Sequence, residues 1–264
     1  MKKRYVIYFV LLGFAITSCK SEGPDPVTPE KPVIDSVKSG LSAYYPFNNN
    51  ALDATGRGNN GEVHGATLTT DRFGKNNSAY SFDGVSSYIK VNDSPDLRLY
   101  NTDFTINVWV NLDSYNDTYG NVILGKRASG SAAGWVFGIE GNTGLPNDQG
   151  AVGRPFYQVS DDADPLGIGV KVLHTKQWHM ITVVYIFSQK LLGYYFDGVL
   201  DNSITDIPVA NNAITTAMFI GTDSQNLNAG APTLHFTKGK IDDIRIYNRL
   251  LTQAEVTSLY TLPN

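Results

Sequence analysis

The stretch that decides the fold covers residues 238–260, KGKIDDIRIYNRLLTQAEVTSLY, because it alternates like a β-strand and then changes to a helical pattern. Neighbouring side chains of a strand point to opposite faces, so Asp242, Ile244 and Ile246 are predicted to share one face. If the two isoleucines point into a core, Asp242 points there too. A buried carboxylate must then be paired, hydrogen-bonded or bound to a metal, because an isolated buried charge is costly.

The second half of this stretch predicts one short C-terminal helix. Thr252 stands three residues before Glu255, which is the spacing of a capping box. In that motif the threonine hydroxyl accepts from the glutamate amide, and the glutamate side chain reaches back to the threonine amide. The residues predicted to face the sheets are Ala254, Val256 and Leu259.

Short strand-like runs continue upstream as far as about Leu41, between clusters of Gly, Asn and Asp. Residues 104–112, FTINVWVNL, predict a strand with one face formed by Phe104, Ile106, Val108 and Val110. Residues 177–187 and 190–198 are separated by a short Ser-Gln turn and predict a hairpin. No period of fixed length repeats, so the pattern predicts a two-layer antiparallel sandwich and not a propeller or solenoid.

Composition and charge narrow the function classes. The chain has 264 residues, 42% of them hydrophobic and 17% charged, and its net charge is -4. The apolar fraction is too high for a chain disordered throughout. No basic stripe is available to neutralise phosphates, so nucleic acid is excluded as a partner.

The N-terminus has the pattern of a targeting segment. Lys2, Lys3 and Arg4 precede an apolar run, residues 5–16, that is too short to span a bilayer. The single cysteine, Cys19, follows in AITSC, which resembles the lipobox of bacterial lipoproteins. That resemblance implies a signal peptide over residues 1–18 and acylation of Cys19. The alternative is an ordinary Sec signal peptide in which Cys19 is incidental.

Residues 19–40 are predicted to form an extended tether, because they contain four prolines and little to bury. Acidic residues just after Cys19 resemble the signals that direct lipoproteins of Bacteroidetes to the cell exterior. We therefore expect a domain anchored by lipid to the outer membrane and facing outward, with the periplasmic side as the alternative. The anchor is the expected link to the membrane.

Several motifs in residues 41–264 carry a second resemblance. An aromatic-Pro-Phe strand (YYPF), the loop DATGRGNNG, the turn FDG, the strand WHMITVVY before YYFDG, and GKIDDIRIYNR follow one another in the order seen in concanavalin A-like, laminin G-like bacterial domains. The resemblance implies a two-sheet antiparallel jelly-roll sandwich with one short C-terminal helix. It says less about function, since one fold hosts many activities.

Three explanations for Asp242 stay open at this point. Many members of the resembled family carry calcium near the sandwich edge, which implies a structural calcium ion held by Asp242, Asp243 and Asp53 with loop carbonyls. Asp242 could instead accept hydrogen bonds from loop amides. It could also pair with an arginine, either Arg57 or Arg72.

The number and positions of the glutamates argue against a glucanase active site. Retaining glucanases of the same superfamily need two carboxyl groups about 5 Å apart. The chain has five glutamates, of which two lie in the tether and one in the capping box, and no strand carries two in phase. The histidines are scattered and Cys19 is used by the anchor, so we predict no zinc site and no thiol nucleophile.

A binding domain fits the remaining polar and aromatic residues better. Sugars are held by aromatic rings and by side chains such as Asp that form hydrogen bonds. The candidate contacts lie in polar or irregular stretches: Tyr115, Tyr119, Trp135, Tyr157, Asp161, Asp162 and Asp164. The alternative is that the tyrosines are ordinary residues at the fringe of the sandwich and the aspartates are solvated turn residues, while Trp135 is left open.

The sequence therefore predicts a non-catalytic, lipid-anchored surface domain that binds a polysaccharide or glycan, with a structural calcium ion as one of the open explanations for Asp242. A protein-interaction or adhesion module is the first alternative. A glycoside hydrolase or lyase of the same superfamily is the second.

Overall fold

The computed structural model describes residues 36–116, 120–128, 134–141, 151–159, 167–208, 214–224, 227 and 235–262. Its elements follow in chain order. The strands are β1 (Leu41–Tyr45), β2 (Gly61–His64), β3 (Thr67–Thr69), β4 (Ala79–Asp83), β5 (Tyr88–Val91), β6 (Phe104–Leu112), β7 (Asn121–Arg127), β8 (Gly134–Ile139), β9 (Pro155–Gln158), β10 (Gly167–Ile168), β11 (His179–Ile186), β12 (Leu191–Phe196), β13 (Val199–Ile204), β14 (Met218–Ile220) and β15 (Lys238–Tyr247), and the C-terminal helix is α1 (Gln253–Thr261).

The strands form two antiparallel sheets. One sheet has the order β13-β12-β11-β6-β15-β4-β3, and β1 pairs with the end of β15 beyond the part that pairs with β4. The other sheet has the order β10-β9-β8-β7-β14-β5-β2. Jumps between strands distant in sequence, such as β6 beside β15, are those of a jelly roll. The predicted two-sheet sandwich with one short C-terminal helix is confirmed.

The core lies between the two sheets and is filled by alternate residues of each strand. The four residues of β6 predicted to share a face, Phe104, Ile106, Val108 and Val110, are all buried in this core. The predicted hairpin is also present, since β11 pairs with β12 across a tight 3₁₀ turn, Phe187–Gln189. Each large apolar side chain buried this way contributes about 1.5–3 kcal/mol of hydrophobic stabilisation.

A β-bulge in β15 changes the alternation of inward and outward side chains that was predicted for residues 242–246. Across the ladder with β6, Asp242 pairs with Trp109 and Arg245 pairs with Asn107, so two residues of β15 stand opposite one residue of β6. Asp243 is the extra residue and has a left-handed backbone, with φ of 53°. The bulge puts Ile244 into the core and leaves Asp242 on the outer face. The prediction that Asp242 shares a face with Ile244 is therefore wrong.

Helix α1 covers the outer face of the first sheet. The capping box is confirmed, because the Thr252 hydroxyl accepts from the Glu255 amide and the Glu255 carboxylate accepts from the Thr252 amide at 2.8 Å. Val256 and Leu259 are buried together with Trp109. Ala254 is exposed, contrary to the prediction, because the buried positions of the helix follow the spacing 255, 256 and 259.

The residues just before β1, predicted as the end of the tether, pack on the domain. Val37 is buried beside α1, and its carbonyl accepts a hydrogen bond of 2.9 Å from the Tyr247 hydroxyl. The predicted signal peptide, Cys19 and the tether up to residue 35 lie outside the described residues. In the part of the chain that the structure describes, no helix is long and apolar enough to cross a membrane.

Candidate functional site

The bulge of β15 carries a buried ion-pair cluster. Arg72 donates from Nη1 to the Asp242 carboxylate at 2.9 Å and from Nη2 to the Asp243 carboxylate at 3.2 Å. Arg245 Nη1 lies 2.8 Å from the other oxygen of Asp243. All four side chains are almost completely buried. Of the three explanations for Asp242, the structure confirms pairing with an arginine, and that arginine is Arg72.

The environment of this cluster changes the protonation of Asp242. Burial and the neighbouring Asp243 carboxylate raise the pKa of Asp242 to about 8, although the charge of Arg72 opposes the shift. The Arg72 guanidinium is itself held between two rings, 4.4 Å from the centre of Trp109 and 4.5 Å from the centre of Phe73. The cluster joins the loop after β3 to the closing strand.

The acids predicted to hold calcium do not come together as one set. The Asp53 carboxylate accepts hydrogen bonds of 3.0–3.2 Å from the backbone amides of Tyr44, Thr55 and Asn59. Arg72 pairs with one oxygen of Asp242, and Arg72 and Arg245 pair with the two oxygens of Asp243, so guanidinium groups already balance charge at these carboxylates. Nowhere in the described ranges do three or more acidic, histidine or cysteine residues form a group able to hold a metal. Calcium binding stays a prediction.

Two of the aromatic residues predicted to contact a ligand belong to the core. Trp135 is 0% exposed and Tyr157 is 1% exposed, and their rings lie 6.3 Å apart inside the sandwich. Both predictions are wrong for a surface contact, because β8 and β9 turn these side chains inward. Tyr115 is partly buried and its hydroxyl donates to the Leu173 carbonyl. The other candidates lie outside the described residues: Tyr119, Asp161, Asp162 and Asp164.

The structure brings a different set of residues together at one end of the sandwich, where β1 begins and β15 ends. A cavity of about 290 Å³, which we call the rim cavity, opens there. It is lined by Ser42, Pro95, Asp96, Arg98, Leu99, Tyr100, Thr102 and Asn248. The Tyr100 side chain is 41% exposed, so a large ring stands at the surface beside polar groups of several kinds.

The loop between β5 and β6 that carries Tyr100 is held in an uncommon conformation. The residues on both sides of the tyrosine have left-handed backbones, with φ of 49° at Leu99 and 51° at Asn101. Such a conformation is strained for a branched residue like leucine and persists only where its surroundings enforce it. Here Leu97 and Leu99 are buried in the core, and the Trp135 indole donates to the Leu97 carbonyl at 3.2 Å. Buried anchors therefore present Tyr100 at the surface.

Charged residues flank the rim cavity in two groups. Asp93 accepts from Arg98 at 2.6 Å and from the buried Lys126 ammonium, also at 2.6 Å. The hydrogen bond from Arg98 is the main reason that the pKa of Asp93 is lowered. Asp96 forms a separate pair with Arg57 at 3.0 Å, in which both side chains are about half exposed.

Sequence reasoning missed Tyr100, although the signal was present. The residue stands in SPDLRLYNTD, a polar stretch between two strands, and the same argument had selected Tyr115. Of the two left-handed residues beside Tyr100, Asn101 is of a type that adopts this conformation readily, but Leu99 is not, so the sequence does not predict the backbone before the tyrosine.

Comparison with known proteins places this architecture in a family. Residues 83–257 match the laminin G-type family model of the concanavalin A-like lectin/glucanases superfamily. The chain belongs to that family. No curated protein sequence matches the chain significantly.

Solved structures share the fold at low sequence identity. Domain 4 of AbnA, a GH43 extracellular arabinanase from Geobacillus stearothermophilus in complex with arabinotriose, has a TM-score of 0.62 and 22% identity over 84% of this chain and 98% of that chain. The binding domain of Paraclostridial Mosquitocidal Protein 1 has a TM-score of 0.61 and 16% identity, over 85% of this chain and 52% of its own. Botulinum neurotoxin type C, whose cell entry depends on interaction with two ganglioside molecules, has a TM-score of 0.59 and 13% identity, over 86% and 52%. The chain thus spans about half the length of the two toxin structures.

Proposed function

We propose that this protein is a non-catalytic carbohydrate-binding domain and that its ligand site is the rim cavity. The observation that carries the proposal is the position of Tyr100, a half-exposed ring fixed beside the mouth of a cavity lined by Asp96, Arg98 and Asn248. A tyrosine ring stacks on the apolar face of a sugar. Carboxylate, guanidinium and amide groups together supply the acceptors and donors that sugar hydroxyls need.

The size of the rim cavity suits a small part of a glycan. Its volume of about 290 Å³ is at the lower end of the range for small-molecule pockets. One or two sugar units therefore fill it, and the rest of the chain extends into solvent. The buried anchors Leu97, Leu99 and Trp135 fix the wall before a ligand arrives, which reduces the entropy lost on binding.

Fold relatives support the class of ligand. One of the most similar solved domains comes from an arabinanase and was determined with arabinotriose, and the cell entry of a neurotoxin of similar fold depends on gangliosides. At this level of sequence identity the similarity concerns the fold alone. The proposal that this chain binds a carbohydrate therefore depends on the residues of its own rim cavity.

The carboxylates at the rim cavity favour binding over catalysis. Both retaining and inverting glycoside hydrolases use two carboxyl groups, separated by about 5 Å or by about 6.5–9.5 Å. Among the residues that line the cavity, Asp96 is the one carboxylate, and it is paired with Arg57. Asp93, which pairs with the lining residue Arg98, is held by two cations.

The N-terminal sequence suggests where in the cell this domain acts. Acylation of Cys19 would anchor the chain to the outer membrane and hold the domain at the cell exterior. A glycan-binding domain in that position would keep the cell in contact with extracellular polysaccharide.

The test combines a glycan array with an assay for new reducing ends, both on the full chain in a mild nonionic detergent. We expect reproducible binding to a restricted set of glycans without release of reducing ends. Binding to no glycan would contradict the proposed function and favour the adhesion module. Cleavage of a bound glycan would contradict the non-catalytic role and favour a hydrolase.

A further inference from the structure

We propose that the rim cavity selects acidic glycans, in which a sugar carboxylate binds the Arg98 guanidinium. This inference rests on the proposed function and names its substrate class. It follows from the balance of charges at the cavity wall.

The cations at the wall outnumber the acids that pair with them. Asp93 pairs with both Arg98 and Lys126. Arg98 Nη2 lies 2.6 Å from one oxygen of the Asp93 carboxylate, and Lys126 Nζ lies 2.6 Å from the other oxygen. The remaining acid and base, Asp96 and Arg57, neutralise each other. Within these two groups, three cations therefore share two carboxylates.

The surplus charge is placed where a ligand can reach it. Lys126 is completely buried, and its ammonium also donates to the Thr216 carbonyl. Burial lowers the pKa of Lys126, while the hydrogen bond from its ammonium to Asp93 opposes that shift. Arg98 is 23% exposed and lines the rim cavity, so the surplus charge faces the cavity through Arg98.

The hydrogen bonds of Arg98 leave donors available. Its Nε and Nη2 bind the two oxygens of Asp93 at 3.3 Å and 2.6 Å, which fixes the plane of the guanidinium. Within the described residues Nη1 has no hydrogen-bond partner. An arginine held by one carboxylate in this way can still donate to a second, and such charge-assisted bonds are roughly twice as strong as neutral ones.

Matched pairs of polysaccharides test the inference directly. Polygalacturonate, alginate and hyaluronan are each compared with the carboxyl-reduced neutral form of the same polymer, by titration calorimetry with the full chain at low salt. We expect at least one acidic polymer to bind about tenfold or more tightly than its neutral form, the size of one charge-assisted contact. That preference should shrink as the salt concentration rises, because salt screens exposed charges.

Two arginine variants serve as a matched pair. Arg98→Gln should abolish the preference for the acidic polymer, while Arg57→Lys, which changes an arginine outside the cavity lining but keeps the positive charge opposite Asp96, should keep it. Thermal melting of both variants checks that each is folded. Equal affinity for acidic and neutral forms, or a preference that survives in Arg98→Gln, overturns the inference. If neutral glycans alone bind on the array, the inference fails and the proposed function stands; if nothing binds, the proposed function itself fails.

Discussion

The guanidinium of Arg72 lies 2.9 Å from the carboxylate of Asp242, 170 residues further along the chain. This contact ties the loop after β3 to the strand that closes the sandwich. It is almost fully shielded from water, since the side-chain exposures are 4% for Arg72 and 0% for Asp242. The Trp109 ring covers the guanidinium from one side. The pair therefore belongs to the structural framework of the domain.

Removing Arg72 should be much more damaging than removing a comparable surface arginine. Arg72→Met leaves Asp242 and Asp243 buried without their shared partner, and we expect a loss of about 3 kcal/mol or more in the free energy of unfolding. Arg57→Met breaks the half-exposed pair with Asp96 and should cost less than about 1 kcal/mol. Urea unfolding followed by tryptophan fluorescence measures both. Similar losses in the free energy of unfolding for the two variants would show that the buried cluster contributes no more to stability than the exposed pair.

The bulge of β15 can be tested by deleting single residues. Without Asp243 the ladder becomes regular, and Ile244 still points into the core opposite β6. Deleting Ile244 instead directs the Asp243 carboxylate into the core. We expect the Asp243 deletion to fold with reduced stability, because Arg72 and Arg245 lose one carboxylate, and the Ile244 deletion not to fold. Near-UV circular dichroism distinguishes the outcomes; a folded Ile244 deletion would refute this reading of the bulge.

These residues also show how far the sequence predicts the fold. The alternation in β6 and the capping box of α1 are local patterns, and the structure confirms both. The bulge is different, because one extra residue reverses every side chain after it, and an aspartate such as Asp243 adopts a left-handed backbone only occasionally. The correct partner, Arg72, is among the alternatives because a buried carboxylate needs an opposite charge, hydrogen-bond donors or a metal. The choice between Arg57 and Arg72 depended on tertiary structure.

The raised pKa of Asp242 should make stability depend on pH in an unusual direction. Its pKa is about 8 in the folded protein and about 3.8 in an unfolded chain, so between these values the folded state holds a proton that the unfolded state has released. The contribution of Asp242 to stability therefore falls as pH rises from about 4 to about 8, by at most about 1.4 kcal/mol per pH unit, and is constant above that range. Asp242→Asn cannot titrate, so this decline should disappear.

Urea unfolding of the wild type and of Asp242→Asn at several pH values from 5 to 9 measures the difference. Glu255 does not interfere. Burial alone would raise its pKa, but hydrogen bonds from Arg249 and Thr252 lower it to about 2, so the stability it contributes is lost only in more acidic solution. Parallel pH profiles for the two proteins would contradict a raised pKa at Asp242.

The candidate site was harder to predict than the fold. Tyrosine and tryptophan are suited both to a hydrophobic core and to a sugar-binding surface. The sequence of residues 134–158 does not show which of these two positions a given ring occupies. Trp135 and Tyr157 are buried because β8 and β9 turn them toward the first sheet. Tyr100 is exposed in a loop where both neighbouring residues, Leu99 and Asn101, have left-handed backbones. The position of an aromatic ring thus depends on loop backbone angles that residue types alone do not specify.

Tyr100 is the ring that contacts the glycan in the proposed site, and Tyr260 provides a close control. Tyr260 is also 41% exposed but lies on α1 against Trp109, away from the rim cavity. With the best glycan from the array, calorimetric titration should show that Tyr100→Ala weakens binding about tenfold or more, the value of one stacked ring, while Tyr260→Ala binds like the wild type. Unchanged affinity in a folded Tyr100→Ala protein would contradict a glycan site at the rim cavity.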